Sequence, residues 1–399
     1  MLRLLQCLFV VFCWPSDGRN VHFYTYSDTI PHPGLCALAE AAYELGRGLR
    51  VIGLSKRPGY ILIHSHSPTL KFLMLQEVLE YEVMKGRIHE DDIVIFSDGH
   101  DVLLQQSLSE ILVAYNHFPD SPYLISGERN CWPWPHTHPS HGGYLLNNEA
   151  PFENQSWTVN RWIRFLPEDF CRLLRADGPY PFPNIGLSMG PAKRFIEVLK
   201  RNNKIVLEGD VNDQGAMWLV ILRHSIELNI QIDQHAEVFL NMLQYHPGEL
   251  EREPCDHTWF RGAGVFGHGR PPRNLLTNTT PGILHFNGPS HEDHVWPSCY
   301  HVMTKEFRKT DHGHAFYDVD HNMLVGTDNI CDYSFYNIRG FHAHPLNQYQ
   351  LAFLEDFYKL PIDPELLAWR GSSSAVDATR MGSEEDLHKA SPFLRKALS

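Results

Sequence analysis

An α/β fold, with a mostly parallel sheet flanked by helices, is what the amino-acid sequence predicts. Strand-like and helix-like patterns alternate through the first third of the chain. One strand-like run is apolar nearly throughout, as a strand buried on both faces must be. The composition supports a sizeable core: of 399 residues, 43% are hydrophobic and 20% charged. Such values exclude a wholly disordered chain, a collagen and a coiled coil.

The elements follow in order. Residues 21–27 (VHFYTYS) are rich in β-formers, and residues 35–45 place Leu35, Leu38, Ala42 and Leu45 on one helical face. Residues 50–54 read as a second strand and residues 70–84 as a helix. Residues 92–97 (DIVIFS) form the near-continuous apolar run expected of a central strand. A helix with a Ser start follows at 107–115, then a strand at 123–126. This β-α-β-α-β-α-β order argues for parallel pairing beneath helices. Residues 130–157, rich in Pro, His, Gly and Trp, read as a long loop or insertion. Residues 191–199 are helical with Pro191 at the first position. A helix at 213–222 and strands at 228–232 and 282–286 complete this part. Residues 301–370 have a mixed pattern and read as a C-terminal extension; residues 371–399 read as a tail.

Charge and leader narrow the setting. The 34 basic and 47 acidic residues give a formal net charge of -13, which repels a phosphate backbone and argues against a nucleic-acid binder. With 25 histidines, half-protonation in a mildly acidic compartment would cancel most of that charge. Residues 4–14 are apolar apart from Gln6, with Arg3 before them and Pro15 to Gly18 after. The run is short for a membrane span and reads as a secretory leader over residues 1–18, the alternative being a buried first helix or strand. No later run is long enough to span a membrane. Without Cys7 and Cys13, six cysteines remain: Cys36, Cys131, Cys171, Cys255, Cys299 and Cys331. An even count fits disulfides in an oxidising lumen, although sequence does not choose the pairing. The sequons at Asn154 and Asn278 point to the same lumen, in the endoplasmic reticulum, the Golgi or outside the cell.

Chemistry is concentrated in two motifs. Ser97-Asp98-Gly99-His100-Asp101 stands at the carboxyl end of the apolar strand, where open α/β sheets bind their ligands. Two carboxylates three residues apart on a turn suit one hard divalent cation held together with a diphosphate. In the alternative, Asp98 and Asp101 cap the helix that follows. The second motif is Leu284-His285-Phe286-Asn287-Gly288-Pro289, a short strand ending in an imidazole before a tight turn. Neutral imidazole is a common ligand beside two carboxylates.

Read together, several segments resemble the glycosyltransferase domain of the procollagen lysyl hydroxylases, a Rossmann-like fold of the GT-A type. The resemblance rests on residues 92–103, on Ser126-Gly127-Glu128 with Cys131-Trp132-Pro133, and on Phe182-Pro183-Asn184-Ile185-Gly186. Asp213-Gln214, Asp233 with Phe239 and Asn241, and residues 285–289 extend it in the same order over residues 20–300. It implies a GT-A-like domain over residues 19–300. It also implies a divalent cation, usually manganese, on Asp98, Asp101 and His285, and a UDP-sugar donor. Lys71, His100, Trp132, Asn184, Asn287 and Gly288 would contact that donor, and Asp213 would act near the transferred sugar. A protein or glycan acceptor is implied, hydroxylysine among them. Each residue also has a plainer reading: a solvated charge for Lys71, a loop anchor for Trp132, a surface helix start for Asp213.

Two other classes compete. His291-Glu292-Asp293, with His342 or His344 some fifty residues on, has the spacing of an iron/2-oxoglutarate oxygenase triad, but few strand-like runs surround it. An inactive lumenal binding protein on the same fold is the third. Asp318-Val319-Asp320 reads as a surface carboxylate pair.

Overall fold

Among the described residues, thirteen strands and six helices form in this order: β1 (Val21–Tyr26), α1 (Pro33–Glu44), β2 (Arg50–Ile52), α2 (Leu70–Met84), β3 (Ile93–Asp98), β4 (Val102–Leu104), α3 (Leu108–Tyr115), β5 (Tyr123–Glu128), β6 (Tyr144–Leu146), β7 (Ile163–Phe165), β8 (Phe182–Pro191), α4 (Ala192–Glu208), α5 (Asp213–His224), β9 (Ile230–Asp233), β10 (Phe239–Asn241), β11 (Ile283–His285), β12 (Ala315–Asp318), β13 (Met323–Gly326) and α6 (Pro364–Ser372). The computed structural model describes residues 19–28, 32–44, 48–55, 70–131, 144–146, 163–165, 171–208 without 173, 213–251 without 247, 272–288, 314–331 without 330, and 360–372 without 361.

Eight strands form one sheet in the order β13-β12-β2-β1-β3-β8-β5-β9. The pairs β12–β2, β2–β1, β1–β3 and β5–β9 are parallel. β8 runs antiparallel between β3 and β5, and β13 antiparallel to β12. The fold is therefore α/β with a mostly parallel central sheet. Its one internal reversal, β8, falls on a segment that the sequence shows as a glycine motif rather than a strand. Pro183 and Gly186 mask the strand pattern there, although every position from Pro183 to Gly190 is buried.

β3 shows why its sequence is apolar throughout. Ile93 and Ile95 pack into one core with α1 and α3, while Val94 and Phe96 pack into another with α2, α4 and α5. Side chains alternate between faces along a strand, so a strand with helices on both sides has no position for a polar residue. A smaller sheet, β10-β11-β4, lies on the α1 side, and its Val102, Leu104, Phe239 and Ile283 enter that core. β6 and β7 pair antiparallel in a separate two-stranded unit.

Local signals explain several boundaries. Ser107 caps α3: its hydroxyl accepts from Glu110 N–H, and the Glu110 carboxylate accepts from Ser107 N–H. The helix read from Pro191 instead starts at Ala192, because Pro191 still pairs with Ile93 in the sheet. α5 is buried from Asp213 to Ile221, and Trp218 Nε1 donates to Pro183 O at 3.0 Å, which fixes this helix against β8.

The C-terminal segment contributes to the main sheet through β12 and β13. Asp318 and Asp320, expected at the surface, are fully buried. The reason is hydrogen bonding that the sequence pattern does not reveal. Asp320 Oδ2 accepts from Gly53 N, Ser55 N and Ser55 Oγ at 2.9, 3.1 and 2.9 Å, closing the turn after β2. Asp318 Oδ1 accepts from Asp320 N, and its Oδ2 meets the His321 ring. A buried carboxylate supplied with such donors does not need solvent. Disulfides join Cys36 in α1 to Cys331 and Cys131 to Cys171; Cys255 and Cys299 lie outside the described residues. Among the described residues, no helix is long and apolar enough to cross a membrane.

Candidate functional site

Four strand ends converge at the carboxyl edge of the sheet. Asp98 is the last residue of β3 and pairs with Tyr26, the last residue of β1. Gly99 packs so closely on β1 that an added Cβ would come within 2.4 Å of Tyr26 O. The chain then turns through Asp101 into β4, which pairs antiparallel with β11 so that Val102 faces His285. Phe286 N–H donates to Asp101 O at 2.8 Å and clamps the turn to the end of β11. The carboxylates do not serve as helix caps: β4 intervenes, and Ser107 is the cap of α3.

This arrangement brings Asp98, Asp101 and His285 together, with one ligand atom from each lying within 4.8 Å of the others. His285 Nε2 is 3.6 Å from Asp98 Oδ2 and 3.4 Å from Asp101 Oδ2. The imidazole is buried, while the Asp98 side chain retains 30% exposure. A site thus has a protein wall on one side and an opening on the other. Gly186 makes room for it, since a Cβ there would lie 2.2 Å from His285 Cε1 and 2.8 Å from Asp98 Oδ2. Ile185 points the other way, into the α2-side core.

Lys71 and Asp213 flank the cluster. Lys71, at the start of α2, is buried rather than solvated; its Nζ donates to Asp98 Oδ1 at 2.7 Å and lies 3.6 Å from Asp213 Oδ2. Burial opposes the ammonium charge, but Asp98 and Asp213 outweigh it and hold the group above the ordinary lysine range. Asp213, at the first turn of α5, is also buried rather than superficial. Burial raises its carboxyl above the usual carboxylate range, against the pull of Lys71. Its Oδ1 accepts from Gln214 N, while Oδ2 has no hydrogen bond among the described residues.

Glu128, to which the sequence gives no role, connects two of the remaining predicted positions, Asn184 and Asn287. It ends β5 and is 1% exposed. Asn184 Nδ2 and Asn287 Nδ2 donate to its Oε2 at 3.2 and 2.8 Å, and Gln214 Nε2 to its Oε1 at 3.4 Å. Both asparagines are fixed in orientation, because Asn184 Oδ1 accepts from Gly186 N–H and Asn287 Oδ1 from Leu243 N–H. Burial pushes the Glu128 carboxyl up to about 8, against these donors. The signal that could have found it is its place at a strand end within a motif already singled out.

His100 stacks on His32 with ring centroids 3.6 Å apart, and its Nε2 bonds to Ser27 Oγ. Gly288 has φ +61, a left-handed conformation that suits glycine. Asn278 is exposed on a turn and accepts from Arg273 at 2.9 Å. Trp132, Asn154, His291, Asp293, His342 and His344 lie outside the described residues. A surface cleft of about 580 Å³ near Arg19, Lys193 and Glu227 opens at the other end of β3, away from this cluster.

No protein-family profile matches the chain. No curated protein matches it in sequence. Distant structural likenesses exist. A glycosyltransferase involved in the glycosylation of the major capsid of PBCV-1 aligns at 8% identity and TM-score 0.34, covering 71% of this chain and 98% of its own. Mouse xyloside xylosyltransferase 1, in its apo form, aligns at 11% identity and TM-score 0.34, covering 68% and 98%. 4-Diphosphocytidyl-2C-methyl-D-erythritol synthase aligns at 8% identity and TM-score 0.29, covering 54% and 89%. Likenesses this distant carry nothing about chemistry, which rests on the side chains themselves.

Proposed function

We propose that this chain is a metal-dependent glycosyltransferase of the secretory pathway, transferring a hexose from a UDP-sugar to a protein or glycan hydroxyl. Hydroxylysine in a collagen-like sequence is the first acceptor to test. The observation that carries the reading is the convergence of Asp98, Asp101 and His285 at the carboxyl edge of the sheet, beside the buried Lys71–Asp213 pair. Two carboxylate oxygens and an imidazole nitrogen fit manganese or another divalent cation. Such a cation neutralises the charge that builds on a departing nucleoside diphosphate.

The chain's own residues divide the remaining work. Lys71 holds Asp98 and Asp213 in fixed positions by charge-assisted contacts. Asp213 Oδ2, buried and without a hydrogen bond among the described residues, is assigned to the transferred sugar. His100, Trp132, Asn184, Asn287 and Gly288 are assigned to the donor, with Glu128 keeping the two amides in place. The two disulfides support a lumenal setting, and Asn154 and Asn278 are the proposed glycan acceptors.

The test is acceptor-free UDP release from a panel of UDP-sugars with Mn2+, since water can replace an unknown acceptor. Asp101→Asn is expected to lose Mn2+ binding and UDP release with little change in thermal stability, because clustered carboxylates repel one another. Asp98→Asn is expected to lose both and also to melt lower, because the buried Lys71 loses its nearest counter-charge. UDP release that survives loss of both carboxylates overturns the site. Nucleotide binding without release from any donor favours the inactive binding protein instead.

A further inference from the structure

We infer that Asn241 is a positioning residue, which holds the His285 ring with a proton on Nδ1 and Nε2 directed between Asp98 and Asp101. The argument starts at a group with no choice of role. Gly127 O is a carbonyl and only accepts; the Asn241 amide lies 2.8 Å from it through Nδ2. The same Nδ2 lies 3.0 Å from Ser126 Oγ, whose own proton goes to Asn184 O at 2.8 Å. Both contacts require the NH2 end of the amide to face β5. Oδ1 therefore faces His285, and an amide oxygen only accepts. The His285 Nδ1, 2.8 Å away, must carry the proton.

The backbone reinforces this orientation. β10 and β11 are parallel, and Asn241 stands directly opposite His285 in their register. Met242 N–H, the next donor along the same chain, gives to His285 O at 2.8 Å and fixes the backbone of the ring's own residue. Asn241 is 3% and His285 2% exposed, so water does not replace either partner. Hydrogen bonding of the second ring nitrogen fixes tautomer and ring direction in metal-bound histidines, and its loss commonly costs 10–100-fold in affinity. Asn241 itself touches no ligand atom of Asp98 or Asp101; its influence passes through His285.

The consequence for metal rests on the metal-site reading above, and the experiment separates the two. The first readout needs no metal: the long-range 15N–1H spectrum of the full wild-type chain, with His285 identified by comparison with His285→Gln. A proton on Nδ1 is expected. A neutral ring protonated only on Nε2 overturns the inference. The second readout is Mn2+ affinity from the spectrum of the free ion. Asn241→Leu is expected to weaken binding roughly 10–100-fold. Asn241→Asp keeps the acceptor toward Nδ1 but sets an oxygen against Gly127 O, so it is expected to melt lower than wild type yet to bind Mn2+ more tightly than Asn241→Leu. In a His285→Ala background, Asn241→Leu is expected to add nothing further. Equal losses in Asn241→Leu and Asn241→Asp that track their melting temperatures, or full additivity with His285→Ala, assign Asn241 a merely structural role and overturn the inference. If wild type binds no Mn2+, the metal reading fails, and the ring spectrum alone decides the inference.

Discussion

Glu128 is a carboxyl surrounded by amides, and its protonation links the site to stability. Its ordinary value is 4.5, and burial places it at about 8 in the fold. Between those values the unfolded chain binds fewer protons than the folded one, so stability falls as pH rises through this window. Above about 8 the contribution is lost and the curve levels. Glu128→Gln keeps the shape and removes the titrating group. The slope of unfolding free energy against pH, from urea melts between about pH 5 and about pH 8, is expected to flatten by up to roughly 1.4 kcal/mol per pH unit. Equal slopes in the two proteins mean that Glu128 is already ionised in the fold. Lys71 shows the same competition with the opposite outcome: two carboxylates overcome the burial cost, and the charge stays.

At the scale of elements, β8 decides the shape of the site. It enters antiparallel between two strands that each belong to a parallel pair, so its early residues reach the same edge as the ends of β3 and β5. Alternation then sends Asn184 and Gly186 toward the site and Ile185 into the core. Gly186→Ala is expected to force His285 and Asp98 apart. Mn2+ affinity should fall at least about tenfold, and stability by roughly 1–3 kcal/mol for the overpacking. Isothermal titration with Mn2+ and urea melts measure the two quantities; unchanged affinity would show that the cluster can shift without cost.

For the whole molecule, the Cys36–Cys331 link spans 295 residues of sequence and ties α1 to the segment after β13. α1 also abuts the Asp98–Asp101 turn, because Gly34 packs directly on the His100 carbonyl. The C-terminal segment is thereby fastened to the element that backs the Asp98–Asp101 turn. Replacing both cysteines with serine is expected to cost roughly 2–5 kcal/mol, seen as a lower midpoint in urea. Wild type in strong reductant should move the same way. Failure of both to shift would mean that the C-terminal strands hold without the tether. Secretion should yield a chain lacking residues 1–18 and carrying glycan, which intact mass before and after deglycosylation measures.

The sequence by itself determined the alternation of strands and helices, the central apolar strand and the Asp98, Asp101 and His285 candidates. Apart from His285, which takes its weight from the family resemblance, those features are local: period, composition and turn chemistry act over a few residues, and a buried strand end declares itself by carboxylates after an apolar run. Tertiary structure decided what depends on contacts across long separations. Lys71 is a buried partner of Asp98 and Asp213 only because α2 and α5 meet at the sheet edge. Asp318 and Asp320 are buried because the turn after β2, more than 260 residues away, supplies the donors for Asp320. β8 reads as a glycine motif until β3 and β5 take up its backbone hydrogen bonds on either side. Glu128 and Asn241 stand in segments that the resemblance singles out, yet no local pattern gives them a role, since a polar residue at a strand end acquires its role from the groups that the fold aims at it.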